Sequence, residues 1–162
     1  MAILEPENRT DLMNLLIRLK PMDQAKKLSI VVYSDDSSVR QAIVNALGKQ
    51  VAHDLPEHVV HEFATGPALR QYVDRKSVDG NFKADIFILD GEAVPEGGMG
   101  VARQLKDEVF NCPPILLITG RPQDAWLAAW SRAEASVSHP VDPFTLASTV
   151  ADLLRSSTIA NV

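Results

Sequence analysis

The sequence has few of the features that mark extracellular or membrane proteins. It contains one cysteine, Cys112, in 162 residues, so neither an internal disulfide nor a site of several thiolates can form within the chain. We expect this thiol to be buried and inert. No apolar run approaches the roughly 18 residues of a membrane span, and the start lacks the basic and apolar regions of a signal peptide. These features predict a cytoplasmic protein with no membrane partner.

Positive charge is also scarce. The chain has 16 basic and 21 acidic side chains, which give a net charge of −5. Such a surface repels the phosphate backbone of nucleic acids, so DNA is not an expected partner. Apolar residues make up 46% of the chain, close to the globular average, and its length corresponds to one domain with a real core.

Short apolar runs alternate five times with longer amphipathic stretches from Leu28 onward. This pattern is typical of parallel strands joined by helices. We predict an α/β fold of the flavodoxin-like type, with a doubly wound five-stranded parallel sheet in the order 2-1-3-4-5. The expected strands cover residues 28–34, 59–63, 86–89, 115–119 and 135–138, and the expected helices cover residues 36–47, 67–75, 101–109, a segment opening at 121–122, and one opening at 142–143.

The chain also has residues outside this unit. We assign residues 1–27 to an N-terminal extension, residues 28–156 to the domain and residues 157–162 to a C-terminal tail. The extension contains an extra amphipathic helix near residues 10–20, with leucines at helical spacing on one face. This helix either packs on its own subunit or pairs with a second copy, and the sequence favours neither.

Three aspartates follow two strands that are neighbours in the predicted sheet. Asp35 and Asp36 end the first strand and Asp90 ends the third. Ligands of such sheets bind beyond the carboxyl ends of the strands where the strand order reverses, which is here between these two strands. An anionic pocket of oxygen atoms suits Mg²⁺. The alternative is that Asp35 and Asp36 cap the first helix and that Asp90 begins a turn.

The remaining strand ends extend this pattern. Thr119 follows the fourth strand, and His139 and Pro140 follow the fifth. Over residues 28–155, this order of residues resembles the CheY-like receiver domain of two-component response regulators.

The resemblance implies that Asp90 accepts a phosphoryl group from a sensor histidine kinase. It also implies that Thr119 hydrogen-bonds this group. Mg²⁺ would be held by Asp35, Asp36, Asp90 and the backbone carbonyl of Glu92. The protein would not be an enzyme beyond its own Mg²⁺-dependent phosphorylation from a kinase or a small phosphodonor, and it would signal by contact with a downstream protein.

Two departures from the family pattern suggest an atypical, stand-alone receiver of the actinobacterial type. His139 stands where the family has a lysine, and Ser136 stands where it usually has an aromatic residue. A neutral imidazole provides no permanent charge. The alternative is a pseudo-receiver that binds its partner irrespective of phosphate. Trp126 and Trp130 share one helical face, so either this face or the N-terminal helix is a candidate homodimer contact.

Overall fold

The computed structural model describes residues 26–77 and 84–160. In these residues five strands alternate with helices along the chain, and the strands form a single sheet. The strands are β1 (Leu28–Tyr33), β2 (His58–Phe63), β3 (Ile86–Asp90), β4 (Ile115–Thr119) and β5 (Ala135–Ser138). The helices are α1 (Ser37–Leu47), α2 (Gly66–Ser77), α3 (Gly98–Glu108), α4 (Trp126–Ser131) and α5 (Pro143–Ala160). A 3-10 turn at Pro122–Ala125 leads into α4.

All neighbouring strands are parallel, and their order is β2-β1-β3-β4-β5. The predicted flavodoxin-like fold is therefore confirmed. The carboxyl ends of β1 and β3 are adjacent, since Tyr33 pairs with Leu89. At the same edge of the sheet Thr119 pairs with Ser138. The strand order reverses between β1 and β3, which places the crevice where the sequence predicted it.

The sheet has a hydrophobic core on each face because residues of a strand alternate between the two faces. The side chains of Val31, Phe87 and Leu117 pack on one face with α2, α3 and α4. Their neighbours on the opposite face pack with α1 and α5. The strands β3 and β4 are buried over their whole length, as expected for continuously apolar runs between two helical layers.

Some boundaries differ from the expected ones. The tail predicted from residue 157 is helical as far as Ala160, because α5 continues past the expected end of the domain at residue 156. The extension 1–27 and its predicted helix lie almost wholly outside the described residues. Within residues 26–77 and 84–160, no helix is both long and apolar enough to cross a membrane. The cytoplasmic location stays a prediction.

Candidate functional site

The carboxylate of Asp90 is the buried polar centre of the predicted crevice. Asp90 ends β3 and is only 3% exposed. Its Oδ2 accepts a hydrogen bond from the Ser34 hydroxyl at 2.7 Å, and its Oδ1 accepts one from the Glu92 backbone N–H at 3.0 Å. The ring Nε2 of His139 lies 3.1 Å from Oδ1. Both carboxylate oxygens are therefore partnered, which is what a buried charge requires.

The position of His139 follows from the end of β5. Its backbone N–H donates to the carbonyl of Thr119 at 2.8 Å, which extends the pairing of β4 and β5 by one step. This places the imidazole against Asp90. An ionised carboxylate only accepts hydrogen bonds, so Nε2 donates to Oδ1 when it carries the ring proton. The structure thus brings together the two residues that the sequence placed at the ends of β3 and β5.

The hydroxyl of Thr119 is turned toward backbone carbonyls. Thr119 is 3% exposed at the end of β4. Its Oγ1 lies 3.2 Å from the carbonyl oxygen of Arg121 and 3.4 Å from that of Val137. One hydroxyl hydrogen is shared between these two acceptors. Thr119 therefore lies at the predicted edge of the sheet, with its hydroxyl engaged by the backbone.

The acidic pair that follows β1 is exposed, and one of its members caps a helix. Asp36 is the N-cap of α1 and accepts a hydrogen bond from the Ser38 backbone N–H at 2.8 Å. It also accepts one from the Ser38 hydroxyl. Both bonds lower the pKa of Asp36, and the bond from the Ser38 hydroxyl is the larger cause. The capping role that the sequence left open is the one that Asp36 has in this structure.

The three aspartates do not form a preassembled metal site. Among residues 26–77 and 84–160, no group of three His, Cys, Asp or Glu side chains is arranged to hold a metal ion. This differs from the expected convergence of Asp35, Asp36 and Asp90. The reason is that Asp36 is turned to α1 while Asp90 is hydrogen-bonded inside the sheet edge. The chemistry of the donors still suits Mg²⁺, since all of them are oxygen atoms.

The loop that follows Asp90 is fixed at its far end. The side chain of Arg70 on α2 forms an ion pair with Glu96, with 2.9 Å between Nη2 and Oε1. The hydroxyl of the buried Tyr33 donates to the carbonyl of Glu96 at 2.6 Å. The bond from Arg70 lowers the pKa of Glu96, while burial is the main cause that raises the pKa of Tyr33. Both contacts connect this loop to the face of the sheet that carries α2.

Sequence reasoning missed three residues of this region, namely Ser34, Arg70 and Glu96. Ser34 is fully buried and forms a short hydrogen bond to Asp90. The available signal was a single polar residue at the end of an apolar strand, directly before Asp35. For Arg70 and Glu96 the sequence held no signal, because 26 residues separate them and only the fold brings them together.

Both tryptophans are exposed, which leaves their common helical face open to a contact with another protein. Trp126 is 65% and Trp130 54% exposed on the short helix α4. The guanidinium of Arg103 lies 5.9 Å from the ring centroid of Trp130 and donates to its carbonyl at 3.0 Å. Such a distance allows a cation–π contact. This surface therefore presents two aromatic side chains, with the cation of Arg103 beside the ring of Trp130.

Comparison with known proteins places the chain in a family. No protein-family model matches the chain. A response regulatory protein of Mycobacterium tuberculosis, found in two strains, is 53% identical over 134 residues, which cover 83% of this chain and 96% of that protein. The fold and this likeness define a receiver. The chain therefore belongs to the response regulators of two-component signalling.

Solved structures agree on the fold. The response regulator DrrB of Thermotoga maritima is similar with a TM-score of 0.62 and 18% identity; the match covers 82% of this chain but only 54% of DrrB. The chemotaxis response regulator CheY4 of Vibrio cholerae has a TM-score of 0.60 and 20% identity, and the match covers 79% of this chain and 99% of CheY4. At these identities the likeness concerns the fold alone.

Proposed function

We propose that this receiver accepts a phosphoryl group on Asp90 and signals by protein contact. The observation that carries the proposal is the Asp90 carboxylate, held at the sheet edge by Ser34, Glu92 and His139. Hydrogen bonds from these donors orient the carboxylate, and an ionised carboxylate is the form that acts as a nucleophile.

The reaction is a phosphoryl transfer. A carboxylate oxygen of Asp90 forms a bond to phosphorus while the P–N bond of a kinase phosphohistidine breaks, and the imidazole of the kinase keeps the electron pair. Catalysis of such a transfer consists mostly of positioning and of stabilising the charge on the phosphoryl oxygens. The protein is not otherwise an enzyme.

Mg²⁺ is the cation that we propose for this site. Its ligands would be the carboxylates of Asp35, Asp36 and Asp90 and the backbone carbonyl of Glu92. The support is the chemistry of these donors, which are hard oxygen atoms. When bound, Mg²⁺ neutralises charge on the transferred group. The residues of this chain position the acceptor and supply donors beside it.

His139 and Thr119 have complementary roles in this proposal. The imidazole of His139 donates to Asp90 from 3.1 Å and lies where it can hydrogen-bond a phosphoryl oxygen, in place of a permanent cation. The hydroxyl of Thr119 reaches such an oxygen only after it turns away from the carbonyls of Arg121 and Val137. Both residues therefore act as hydrogen-bond donors without a permanent charge.

The partners are a sensor histidine kinase and a downstream protein, and the output does not involve DNA. A homodimer through the exposed Trp126 and Trp130 or through the N-terminal helix is part of the same proposal. The exposure of both indole rings supports contact at α4, since large aromatic side chains are preferred anchors of protein interfaces.

A second candidate is a pseudo-receiver that binds its partner without phosphate. The observation that favours it is that Asp36 caps α1 while both oxygens of Asp90 have partners within the protein. Such a site is stable without a cation or a phosphoryl group. In that case the surface around Trp126 and Trp130 is accessible to a partner at all times.

Intact-mass measurement after incubation with Mg²⁺ and acetyl phosphate separates the two candidates. We expect the mass of one phosphoryl group to be added to the wild type and to Asp85→Asn, and not to Asp90→Asn. Asp85 is a matched control because it precedes the first residue of β3, and its carboxylate accepts a hydrogen bond from the Ser29 backbone N–H at 2.7 Å. An adduct that survives Asp90→Asn contradicts the first candidate. No adduct on any variant supports the second.

A further inference from the structure

Ser34 lies between the acceptor carboxylate and the acidic pair. It has no exposed surface, and its hydroxyl donates to Asp90 Oδ2 at 2.7 Å. The same hydroxyl oxygen accepts a hydrogen bond from the backbone N–H of Asp36 at 3.2 Å. A serine hydroxyl has one donor and two acceptor positions, so this geometry uses it as a bridge between β3 and the start of α1.

The backbone of Ser34 is fixed as well. Its carbonyl oxygen accepts a hydrogen bond from Arg40 Nη1 at 2.7 Å, and its N–H donates to the carbonyl of Phe63 at 3.2 Å. Arg40 also forms an ion pair with Glu62, with 3.4 Å between Nε and Oε1. The hydroxyl is therefore directed at Asp90 by contacts with both α1 and β2.

We propose that Ser34 is a positioning residue that satisfies Oδ2 of Asp90 in the metal-free protein, and that Mg²⁺ binds only by displacing this hydroxyl. The inference rests on the proposed function, since it concerns the cation of the phosphorylation site. The hydroxyl occupies Oδ2, the Asp90 oxygen that neither the Glu92 backbone N–H nor His139 contacts, so a cation bound through this oxygen would compete with the hydroxyl.

The consequence is a receiver with weakened affinity for Mg²⁺. A hydrogen bond to a charged group stabilises the metal-free state, and this stabilisation is lost when the metal takes its place. The hydroxyl thus raises the Mg²⁺ concentration at which the site is half filled. A residue that only supported the fold would lower stability when removed but would leave the affinity for Mg²⁺ unchanged.

Calorimetric titration with MgCl₂ tests this role without any phosphodonor. We expect Ser34→Ala to bind Mg²⁺ about tenfold more tightly than the wild type, by the loss of one hydrogen bond to a carboxylate. Ser34→Thr retains the hydroxyl and is expected to restore the affinity of the wild type. Ser131→Ala is the matched control, because Ser131 is also fully buried but donates only to the carbonyl of Ala128 at 2.8 Å.

The thermal shift caused by MgCl₂ is the second measurement, since a ligand of the native state raises its melting temperature. If Ser34→Ala does not fold, Ser34→Cys replaces it, because a thiol has a similar shape and is a weak donor. Equal or weaker Mg²⁺ binding by the folded variant overturns the role of Ser34 and leaves the proposed function standing. If neither the wild type nor any variant binds Mg²⁺, the metal part of the proposed function fails, and the role of Ser34 fails with it.

Discussion

At the residue scale, the site depends on three hydrogen-bond donors around one buried carboxylate. Asp90 is approached by a hydroxyl, a backbone N–H and an imidazole. Such donors direct the carboxylate without the fixed charge that a lysine would bring. The orientation of the carboxylate therefore depends on a few hydrogen bonds, two of which come from side chains that a single substitution removes.

Cys112 gives a direct prediction at this scale. The thiol is partly buried, and burial is the main cause that raises its pKa to about 11. Only the thiolate reacts with iodoacetamide, so at pH 8 we expect alkylation of the folded protein to be roughly a hundredfold slower than alkylation in urea. The time course of intact mass measures both rates. Similar rates in the two states would contradict the inert thiol that the sequence predicted.

Part of the site could be predicted from residues alone. Asp90 and His139 were located because the carboxyl ends of parallel strands meet at one edge of the sheet. The hydrogen bond between Ser34 and Asp90 could not be predicted, because it depends on how β1 packs against β3. Asp36 was ambiguous for a physical reason, since an aspartate after a strand serves equally well as a metal ligand and as a helix cap.

At the element scale, α1 and α3 begin in different ways. The first turn of α1 is capped by the Asp36 side chain, whereas α3 begins at Gly98 without a side-chain cap. A Cβ atom at Gly98 would lie 2.5 Å from the backbone oxygen of Asp90, so only glycine permits this close approach. The sequence placed the start of α3 at Val101 because glycine is a poor helix former, and this tertiary contact overrides that preference.

The cap of α1 gives a prediction for this element. We expect Asp36→Ala to lower the melting temperature by about 3 °C, because the Ser38 backbone N–H loses its acceptor. Asp35→Ala is the control, since Asp35 is exposed and does not cap the helix.

The pH dependence of this difference follows from the lowered pKa of Asp36. The cap contributes fully above the ordinary value of 3.8, and its contribution is lost as the pH falls through the lower value of the folded protein. Thermal unfolding from pH 7 down to pH 2 measures this loss. If both variants have the melting temperature of the wild type at pH 7, the cap does not stabilise α1.

At the scale of the whole molecule, the sheet separates the apolar cores from the candidate site. The two apolar cores lie on its faces, while Asp90, Thr119 and His139 lie at its carboxyl edge. The fold could be predicted because the apolar runs are short, continuous and regularly spaced. The contact between Arg70 and Glu96 could not, since it depends on how α2 packs against the loop after β3.

A core substitution tests how much the packing of the sheet contributes to stability. Leu117 has no exposed surface at the centre of β4, and we expect Leu117→Ala to lower the free energy of unfolding by about 2–5 kcal/mol. Val94→Ala is the control because Val94 is 65% exposed, and we expect it to change little. Urea denaturation measures both. A loss below about 1 kcal/mol for Leu117→Ala would show that this part of the core is loosely packed.

The exposure of α4 also determines what the tryptophan fluorescence of the protein reports. The chain has two tryptophans, and both lie on this one helix with more than half of their surface in solvent. Its tryptophan fluorescence therefore originates from a single patch of surface and not from the core. Unfolding changes the surroundings of these indoles little, because more than half of their surface is already in water. A partner that covers α4 instead transfers them to an apolar environment. The emission spectrum thus reports on occupancy of this surface, and only weakly on folding.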